Sequence, residues 1–222
     1  MKIMSNKVKK VLYISSCDLN VNDFHGKGLN VMTTIFFVRH AHSTYTKEES
    51  IRPLSEKGKL DAENVTNLLK DKNIDVVISS PYKRAIQTVQ GIANTYNLSI
   101  QLEEDLRERL LSKEPVTDFN DAIQKVWEDW TFAYEGGESN DVAQRRAVLC
   151  MQNILEKYKG KNIVIGTHGN IMVLLMNYFD SKYDFQFWKT LHMPDVYKLT
   201  FDNNRFISAE RIEKTGHRIN IL

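Results

Sequence analysis

From Thr33 onward, apolar positions follow two different periods along the chain. Short apolar runs rich in β-branched residues predict buried strands, and apolar residues three or four apart predict amphipathic helices. The strands predicted in this way cover residues 34–38, 76–78, 98–102, 162–165, 196–201 and 206–211. The predicted helices cover residues 54–70, 82–96, 141–158 and 170–179, and further helices are expected within the charged segment 103–137.

Strands interleaved with helices predict an α/β fold, a three-layer sandwich with a mostly parallel sheet and helices on both faces. The last two strands flank Asp202-Asn203-Asn204 and predict a closing hairpin. In open α/β sheets, ligands bind at the carboxyl ends of strands. We therefore expect functional residues just after Val38, Ile78 and Ile165.

The length of 222 residues suits one domain with a short appendage. Residues 1–31 contain a stretch rich in turn-forming residues, and Met32 begins an apolar run that would make a natural chain start. We interpret residues 1–31 as an N-terminal extension whose status the sequence leaves open. Residues 32–222 are then the functional domain.

Charge and hydropathy exclude several classes of partner. The 30 basic and 28 acidic residues give a net charge of +2, without the excess of positive charge that nucleic-acid binding requires. The apolar run of residues 171–175 is far below the ~20 residues of a membrane span. Apolar residues 11–14 are too few for a signal peptide. With only Cys17 and Cys150, a reducing cytoplasm is the expected location.

Histidines and arginines follow three of the predicted strands. The three segments are Arg39-His40-Ala41-His42-Ser43, Ser79-Ser80-Pro81-Tyr82-Lys83-Arg84 and Gly166-Thr167-His168-Gly169-Asn170. The planar fork of arginine donates two hydrogen bonds to phosphate oxygens, and helix N-termini add backbone N–H groups. Two arginines and two histidines at one sheet edge therefore predict a pocket for a dianion.

The order of these motifs resembles that of the histidine phosphatase superfamily, also called the phosphoglycerate mutase-like family. The resemblance covers about residues 33–213. The matching segments are Arg39-His40-Ala41, Leu54-Ser55-Glu56-Lys57-Gly58, Ser79 to Thr88, Leu106-Arg107-Glu108, Gly136-Gly137-Glu138-Ser139 and Thr167-His168-Gly169. Ala41 stands where the family has glycine, and Arg109 to Ser112 depart from the family pattern.

The resemblance implies a metal-independent phosphatase, without a cofactor, that hydrolyses a small phosphorylated metabolite through a phosphohistidine on His40. It implies that Glu108 is the acid and then the base, and that His168 completes the catalytic set. Substrate binding is assigned to Arg39, Ser43, Arg84 and Gly169. The attacking ring must be neutral, so its other nitrogen is expected to donate to a carbonyl or carboxylate. His168 is expected to be protonated.

Other interpretations remain open. A bisphosphoglycerate-dependent phosphoglycerate mutase uses the same chemistry, and a non-catalytic phosphate-binding relative would keep the same pocket. His40 and His42 also suggest a metal pair, but no carboxylate or cysteine accompanies them at ligand spacing. Specificity is expected to lie in a cap formed by residues 113–135, and the sequence identifies neither the substrate nor the oligomeric state.

Overall fold

The computed structural model describes residues 31–213. Its strands are β1 (Met32–Arg39), β2 (Val76–Ser79), β3 (Ile100–Leu102), β4 (Asn162–Thr167), β5 (Asp195–Asp202) and β6 (Arg205–Arg211). Its helices are α1 (Glu56–Leu69), α2 (Lys83–Thr95), α3 (Phe119–Glu128), α4 (Asn140–Lys157), α5 (Gly169–Phe179) and α6 (Phe185–Lys189), with a 3₁₀ turn at Glu104–Leu106. The interpretation of residues 1–31 as an extension lies, apart from Val31, outside the described residues.

The strands form a six-stranded sheet in the order β3-β2-β4-β1-β5-β6. β4 is parallel to both β1 and β2, and β2 is parallel to β3. β5 is antiparallel to β1 and to β6, as expected for a closing hairpin. The prediction of a mostly parallel sheet is confirmed. Within its parallel part, the carboxyl ends of β1, β2 and β4 lie side by side.

The side chains of β1 point alternately to the two faces of the sheet, and the core accordingly has two layers. Ile35 and Phe37 face one side of the sheet, where buried residues of α4 and α5 pack. Phe36 and Val38 face the other side, where α1 and α2 pack. Successive side chains of a strand point to opposite faces, so one apolar run is buried on both sides. This arrangement confirms the predicted three-layer sandwich.

Local capping sets where the helices near the sheet edge begin. The Oγ of Ser55 accepts a hydrogen bond from the backbone N–H of Gly58 at the start of α1. The Oγ of Ser139 caps α4 by accepting from the N–H of Val142. Each such cap contributes about 1 kcal/mol. A Cβ on Gly58 would lie 2.0 Å from the carbonyl oxygen of His42, so glycine is needed for α1 to approach this loop.

The charged segment 103–137 forms the 3₁₀ turn and α3, as predicted in outline. Trp127 of α3 is buried, and its indole Nε1 donates to the Oδ1 of Asn170 at 3.1 Å. This tryptophan therefore packs against α5. The prediction missed α6, a short helix in which Asp184 caps aromatic residues that pack on the core. Within residues 31–213, no helix has the length and apolar character needed to cross a membrane.

Candidate active site

The ends of three neighbouring strands bring the two histidines together. The backbone N–H of His40 donates to the carbonyl of Thr167 at 2.9 Å, and the N–H of Ser80 donates to the carbonyl of Gly166 at 2.8 Å. These bonds continue the sheet by one residue past β1 and β2. The ring centroids of His40 and His168 are consequently 5.2 Å apart. The predicted convergence of the histidines is what the structure shows.

His40 is held as a single tautomer. Its Nδ1 lies 2.8 Å from the carbonyl oxygen of Ala41, which can only accept, so Nδ1 carries the proton. The Nε of Arg84 lies 3.1 Å from Nε2 of His40 and can only donate, so Nε2 presents its lone pair. Burial and then the positive charge of Arg84 lower the pKa of His40 to about 3. The ring is therefore neutral near pH 7, as the sequence analysis required of an attacking histidine.

His168 is completely buried beside this ring. Its Nε2 lies 2.7 Å from the Oγ of Ser80, and the ring of Tyr82 packs edge-on against it at 5.0 Å. Burial, followed by the charges of His40 and Arg84, lowers the pKa of His168 well below its usual value. The direction of this shift is opposite to the one that would favour the expected protonation of His168. A positive charge here would be desolvated next to other cations.

Arg84 lies at the start of α2 and is 3% exposed. Its Nη1 donates to the carbonyl oxygen of Glu49 at 2.8 Å, and its Nη2 lies 3.2 Å from the carboxylate of the same residue. The Oε1 of Glu49 lies 3.0 Å from Nη1 of Arg52. Sequence reasoning assigned no role to Glu49 or Arg52. The one available signal was that Arg52 stands two residues before the motif that begins at Leu54.

Arg39 leaves the end of β1 and lies against the start of α5. Its Nη1 donates to the carbonyl oxygens of Leu191 and His192 at 3.2 and 3.0 Å. A Cβ on Gly169 would lie 2.9 Å from Nε of Arg39, so only glycine allows the guanidinium to pack here. This Nε is buried and has no hydrogen-bond partner among residues 31–213. Arg39 thus keeps one buried donor unused.

Glu108 reaches the same sheet edge, but its carboxylate is directed at backbone. Its Oε1 accepts from the N–H groups of Arg109 and Ile171 at 2.9 and 3.0 Å, and its Oε2 accepts from the N–H of Asn170 at 3.1 Å. Asn170 and Ile171 belong to the first turn of α5, whose N–H groups have no partner within the helix. Glu108 therefore caps the helix that begins immediately after His168.

A single arginine holds the segment that carries Glu108. Nε and Nη2 of Arg146 bind the two carboxylate oxygens of Glu138 at 2.7 and 2.8 Å. Its Nη1 donates to the carbonyls of Asp105 and Arg107 at 2.6 and 3.1 Å. Burial raises the pKa of the Glu138 carboxyl, but Arg146 and Arg107 outweigh that effect and hold it below its usual value. The motif residue Glu138 is thus part of an ion pair that anchors the Glu108 segment to α4.

Ala41 and Ser43 have backbone roles in this structure. The side chain of Ala41 is buried with Leu54 and Ala62, and its N–H donates to the Oγ1 of Thr88 at 3.0 Å. Its methyl group therefore packs into the protein. Ser43 pairs with Leu54 in an antiparallel bridge that closes the loop of residues 44–53. The exposed His42 binds the Oγ of Ser55 through Nδ1 at 2.8 Å.

The cap segment borders a separate cavity. This cavity of about 540 Å³ lies between residues 112–118 and α3, with Tyr134 and Glu135 on its wall. None of its lining residues belongs to the histidine and arginine set. Among residues 31–213, no three or more His, Cys, Asp or Glu side chains are grouped as metal ligands are.

Comparison with known proteins places this arrangement in a family. The chain is 32% identical over 155 residues to phosphoglycerate mutase-like protein 4 of Arabidopsis thaliana, a match that covers 62% of this chain and 67% of the relative. It is 25% identical to phosphoserine phosphatase 1 of Hydrogenobacter thermophilus, covering 62% of this chain and 71% of the relative.

A mycobacterial glucosyl-3-phosphoglycerate phosphatase shares the fold, with a TM-score of 0.65 at 20% identity over 81% of this chain and 97% of that one. The model of the histidine phosphatase superfamily (branch 1) matches residues 35–212, from within β1 to the residue after β6. The chain that places His40 and His168 at one sheet edge therefore belongs to the histidine phosphatase superfamily.

Proposed function

We propose that the protein is a hydrolase that removes the phosphoryl group from a small organic phosphomonoester, with Nε2 of His40 as the nucleophile. The observation that carries this proposal is the environment of that nitrogen. Its ring is neutral, its tautomer is fixed by the carbonyl of Ala41, and its lone pair faces the guanidinium of Arg84. A nucleophile that needs no prior deprotonation, next to a permanent cation, suits attack on a phosphate dianion.

The relatives support a phosphatase. Phosphoserine phosphatase 1 and the glucosyl-3-phosphoglycerate phosphatase are both named for hydrolysing a phosphate ester. The substrates in both names also carry a carboxylate. We infer that phosphorylated carboxylic acids are the first compounds to screen for this chain.

The reaction proceeds in two steps. The N–H of Arg84 Nε first turns from Nε2 of His40 to a phosphoryl oxygen, which frees the lone pair of Nε2. Nε2 then attacks phosphorus in line, the N–P bond forms and the bond from phosphorus to the ester oxygen breaks. Glu108 protonates the departing alkoxide, then accepts a proton from the water that hydrolyses the phosphohistidine, which releases inorganic phosphate and restores the free ring. Arg39, Arg84 and His168 bind the phosphoryl oxygens, with Ser43 and Gly169 at the edge of the pocket. To act as the acid, Glu108 exchanges at least one of its backbone N–H partners for the leaving-group oxygen.

The chemistry assigned to these residues needs no metal, since the guanidinium groups supply the positive charge. The expected result is full activity in the presence of EDTA, measured as release of inorganic phosphate from a panel of phosphorylated metabolites. Loss of activity that a divalent cation restores would contradict this mechanism. We also infer that the enzyme acts in the cytoplasm on a soluble metabolite, without a nucleic-acid or membrane partner.

Trapping the intermediate tests the function itself. The protein is mixed with substrate carrying a labelled phosphoryl group and denatured within a turnover. The label is expected on the protein, stable to base and labile to acid, and lost in His40→Asn. His42→Asn is the matched control, because His42 is exposed and contacts only the α1 cap among the bonds described. Label that persists in His40→Asn, or resists acid, would refute the proposed nucleophile.

Two other functions stay under test. A bisphosphoglycerate-dependent mutase would return the phosphoryl group to a second oxygen of the product, and activity stimulated by bisphosphoglycerate would favour it. The compact segment between Glu108 and α4, with α3 as its single longer helix in the described structure, favours the phosphatase. A non-catalytic phosphate-binding protein would bind phosphate without forming phosphohistidine.

A further inference from the structure

The loop of residues 44–53 places a carboxylate between two arginines of the pocket. The Oε1 of Glu49 lies 3.0 Å from Nη1 of Arg52, and its Oε2 lies 3.2 Å from Nη2 of Arg84. Arg84 is 3% exposed, whereas Arg52 and Glu49 are more open to solvent. One carboxylate thus bridges two guanidinium groups at the mouth of the pocket.

This carboxylate and the proposed nucleophilic nitrogen contact the same edge of the Arg84 guanidinium. Nε and Nη2 of a guanidinium donate from the same edge of the planar group, which is the edge that binds phosphate in a bidentate manner. In Arg84, Nε faces Nε2 of His40 and Nη2 faces Oε2 of Glu49. A phosphoryl group attacked by His40 must bring its oxygens to this edge. The Glu49 carboxylate therefore holds a position that a phosphoryl oxygen requires.

We propose that Glu49 occupies an anion site in the free protein, that the substrate phosphoryl group displaces its carboxylate, and that Arg52 is then a third guanidinium ligand. This inference rests on the proposed function, because it assumes that phosphate binds beside His40. Glu49 is thereby an internal competitor of the substrate. An incoming anion has to replace both of its ion pairs.

The loop is built so that the side chain of Glu49 can leave while its backbone stays. The carbonyl oxygen of Glu49 accepts from Nη1 of Arg84 at 2.8 Å, and the loop is closed by the Thr44 N–H to Pro53 carbonyl bond at 2.9 Å. The side chain of Glu49 is 44% exposed, so rotation about its own bonds takes the carboxylate into water. Departure of the carboxylate leaves the bond from Nη1 of Arg84 to the Glu49 carbonyl in place.

Arg52 is fixed independently of Glu49. Its Nη2 donates to the carbonyl of Thr46 at 3.1 Å, and its guanidinium lies 4.9 Å from the ring centroid of Tyr45. Its Nε is buried and unpartnered among the residues that the structure describes. Arg52 can therefore keep its place and bind a phosphoryl oxygen once the carboxylate has moved. A dianion that bonds both arginines replaces Glu49 more effectively than a monoanion does.

Binding of inorganic phosphate, measured by calorimetry, tests the inference without turnover. Glu49→Gln removes the competing charge and keeps the shape, so we expect phosphate to bind about tenfold more tightly, in line with the loss of a close ion pair to each of two cations. KM for a phosphomonoester should fall by a similar factor. Glu48→Gln is the matched control, since Glu48 is exposed and its carboxylate bonds only Ser50 among the contacts described.

A second pair of variants separates the role of Arg52 from its pairing with Glu49. If Arg52 binds phosphate, adding Arg52→Ala to Glu49→Gln weakens phosphate binding about tenfold relative to Glu49→Gln alone. An unchanged affinity in that comparison, or equal affinity of wild type and Glu49→Gln, overturns the inference. If the wild-type protein still forms phosphohistidine when either of those results is obtained, the inference about Glu49 and Arg52 fails but the proposed function stands. Thermal unfolding of each variant identifies any loss of folding.

Discussion

The Nε of Arg84 donates to Nε2 of His40 at 3.1 Å, so the main cation of the pocket and the proposed nucleophile are in direct contact. Arg84 comes from the start of α2 and His40 from the end of β1, 44 residues apart. This contact orients the lone pair of His40. It also contributes, after burial, to the low pKa of the ring.

Replacing Arg84 by lysine should lower kcat/KM about a hundredfold. Lysine keeps the charge but cannot donate two parallel hydrogen bonds from one planar edge to phosphoryl oxygens, and two charge-assisted hydrogen bonds at about 1.5 kcal/mol each give a loss of this size. Steady-state kinetics with a phosphomonoester provides the measurement. A loss of less than fivefold, in a variant with unchanged thermal stability, would show that the guanidinium edge is dispensable.

Arg146→Lys should impair substrates with poor leaving groups more than those with good ones. Lysine cannot bind both oxygens of Glu138 and the carbonyls of Asp105 and Arg107, so the segment that carries Glu108 loosens. A misplaced acid matters for an alkyl phosphate, whose alkoxide needs a proton, and little for p-nitrophenyl phosphate. We expect kcat to fall about tenfold for the alkyl ester and less than twofold for the aryl ester.

The neighbouring Arg145→Lys is the control for this prediction. Arg145 is exposed on α4 and pairs with Asp141 within the helix, away from the Glu108 segment. Equal losses for both esters in Arg146→Lys would indicate that Arg146 has only a structural role. Glu108→Gln should show the same dependence on the leaving group, and its absence would exclude Glu108 as the acid.

Gly169→Ala should weaken phosphate binding by displacing Arg39. The added Cβ would lie 2.9 Å from Nε and 3.0 Å from Cζ of Arg39, closer than such atoms approach, so the guanidinium must move. We expect about a tenfold loss of affinity for inorganic phosphate, the effect of losing about 1.4 kcal/mol. If the affinity stays unchanged, Arg39 does not bind phosphate from its observed position. The structure of the variant would show where the guanidinium goes.

Stability should fall as the pH is lowered from 6.5 towards 3. In the folded protein the pKa of His40 is lowered to about 3, so the buried ring stays unprotonated in this window. In the unfolded chain His40 binds a proton over the same window. The unfolded state therefore binds more protons and is favoured as the pH falls. One such histidine changes the free energy of unfolding by up to about 1.4 kcal/mol per pH unit. His168, whose pKa is also lowered, adds to the slope.

Urea unfolding at pH 5 and pH 7 measures this effect. His40→Asn, which retains a donor for the carbonyl of Ala41 but does not titrate, should show a smaller difference between the two pH values than the wild type. An equal difference in both proteins would mean that His40 does not remain neutral on folding.

Much of this molecule can be predicted from local sequence. The apolar runs in β1, β2 and β4 identify central parallel strands, since only a sheet covered on both faces buries every residue of a strand. The segments that follow Val38, Ile78 and Ile165 meet at one edge of the sheet, because the carboxyl ends of neighbouring parallel strands lie side by side. Ser55 and Ser139 cap their helices through N–H groups only three residues further along the chain. These features depend on neighbours a few residues away.

Tertiary structure alone decided how the polar groups of the site are paired. The sequence contains Glu49 and Arg52 in a loop without a distinctive pattern, and nothing local shows that they lie beside Arg84. It equally gives no sign that Glu108 caps α5 or that Arg146 holds its segment. The lowered pKa of His168 could not be predicted for the same reason, since the burial of a ring and the charges around it depend on residues distant in the chain. Hydrophobic periodicity is a local property, whereas electrostatics and hydrogen bonding depend on which atoms folding brings within a few ångströms.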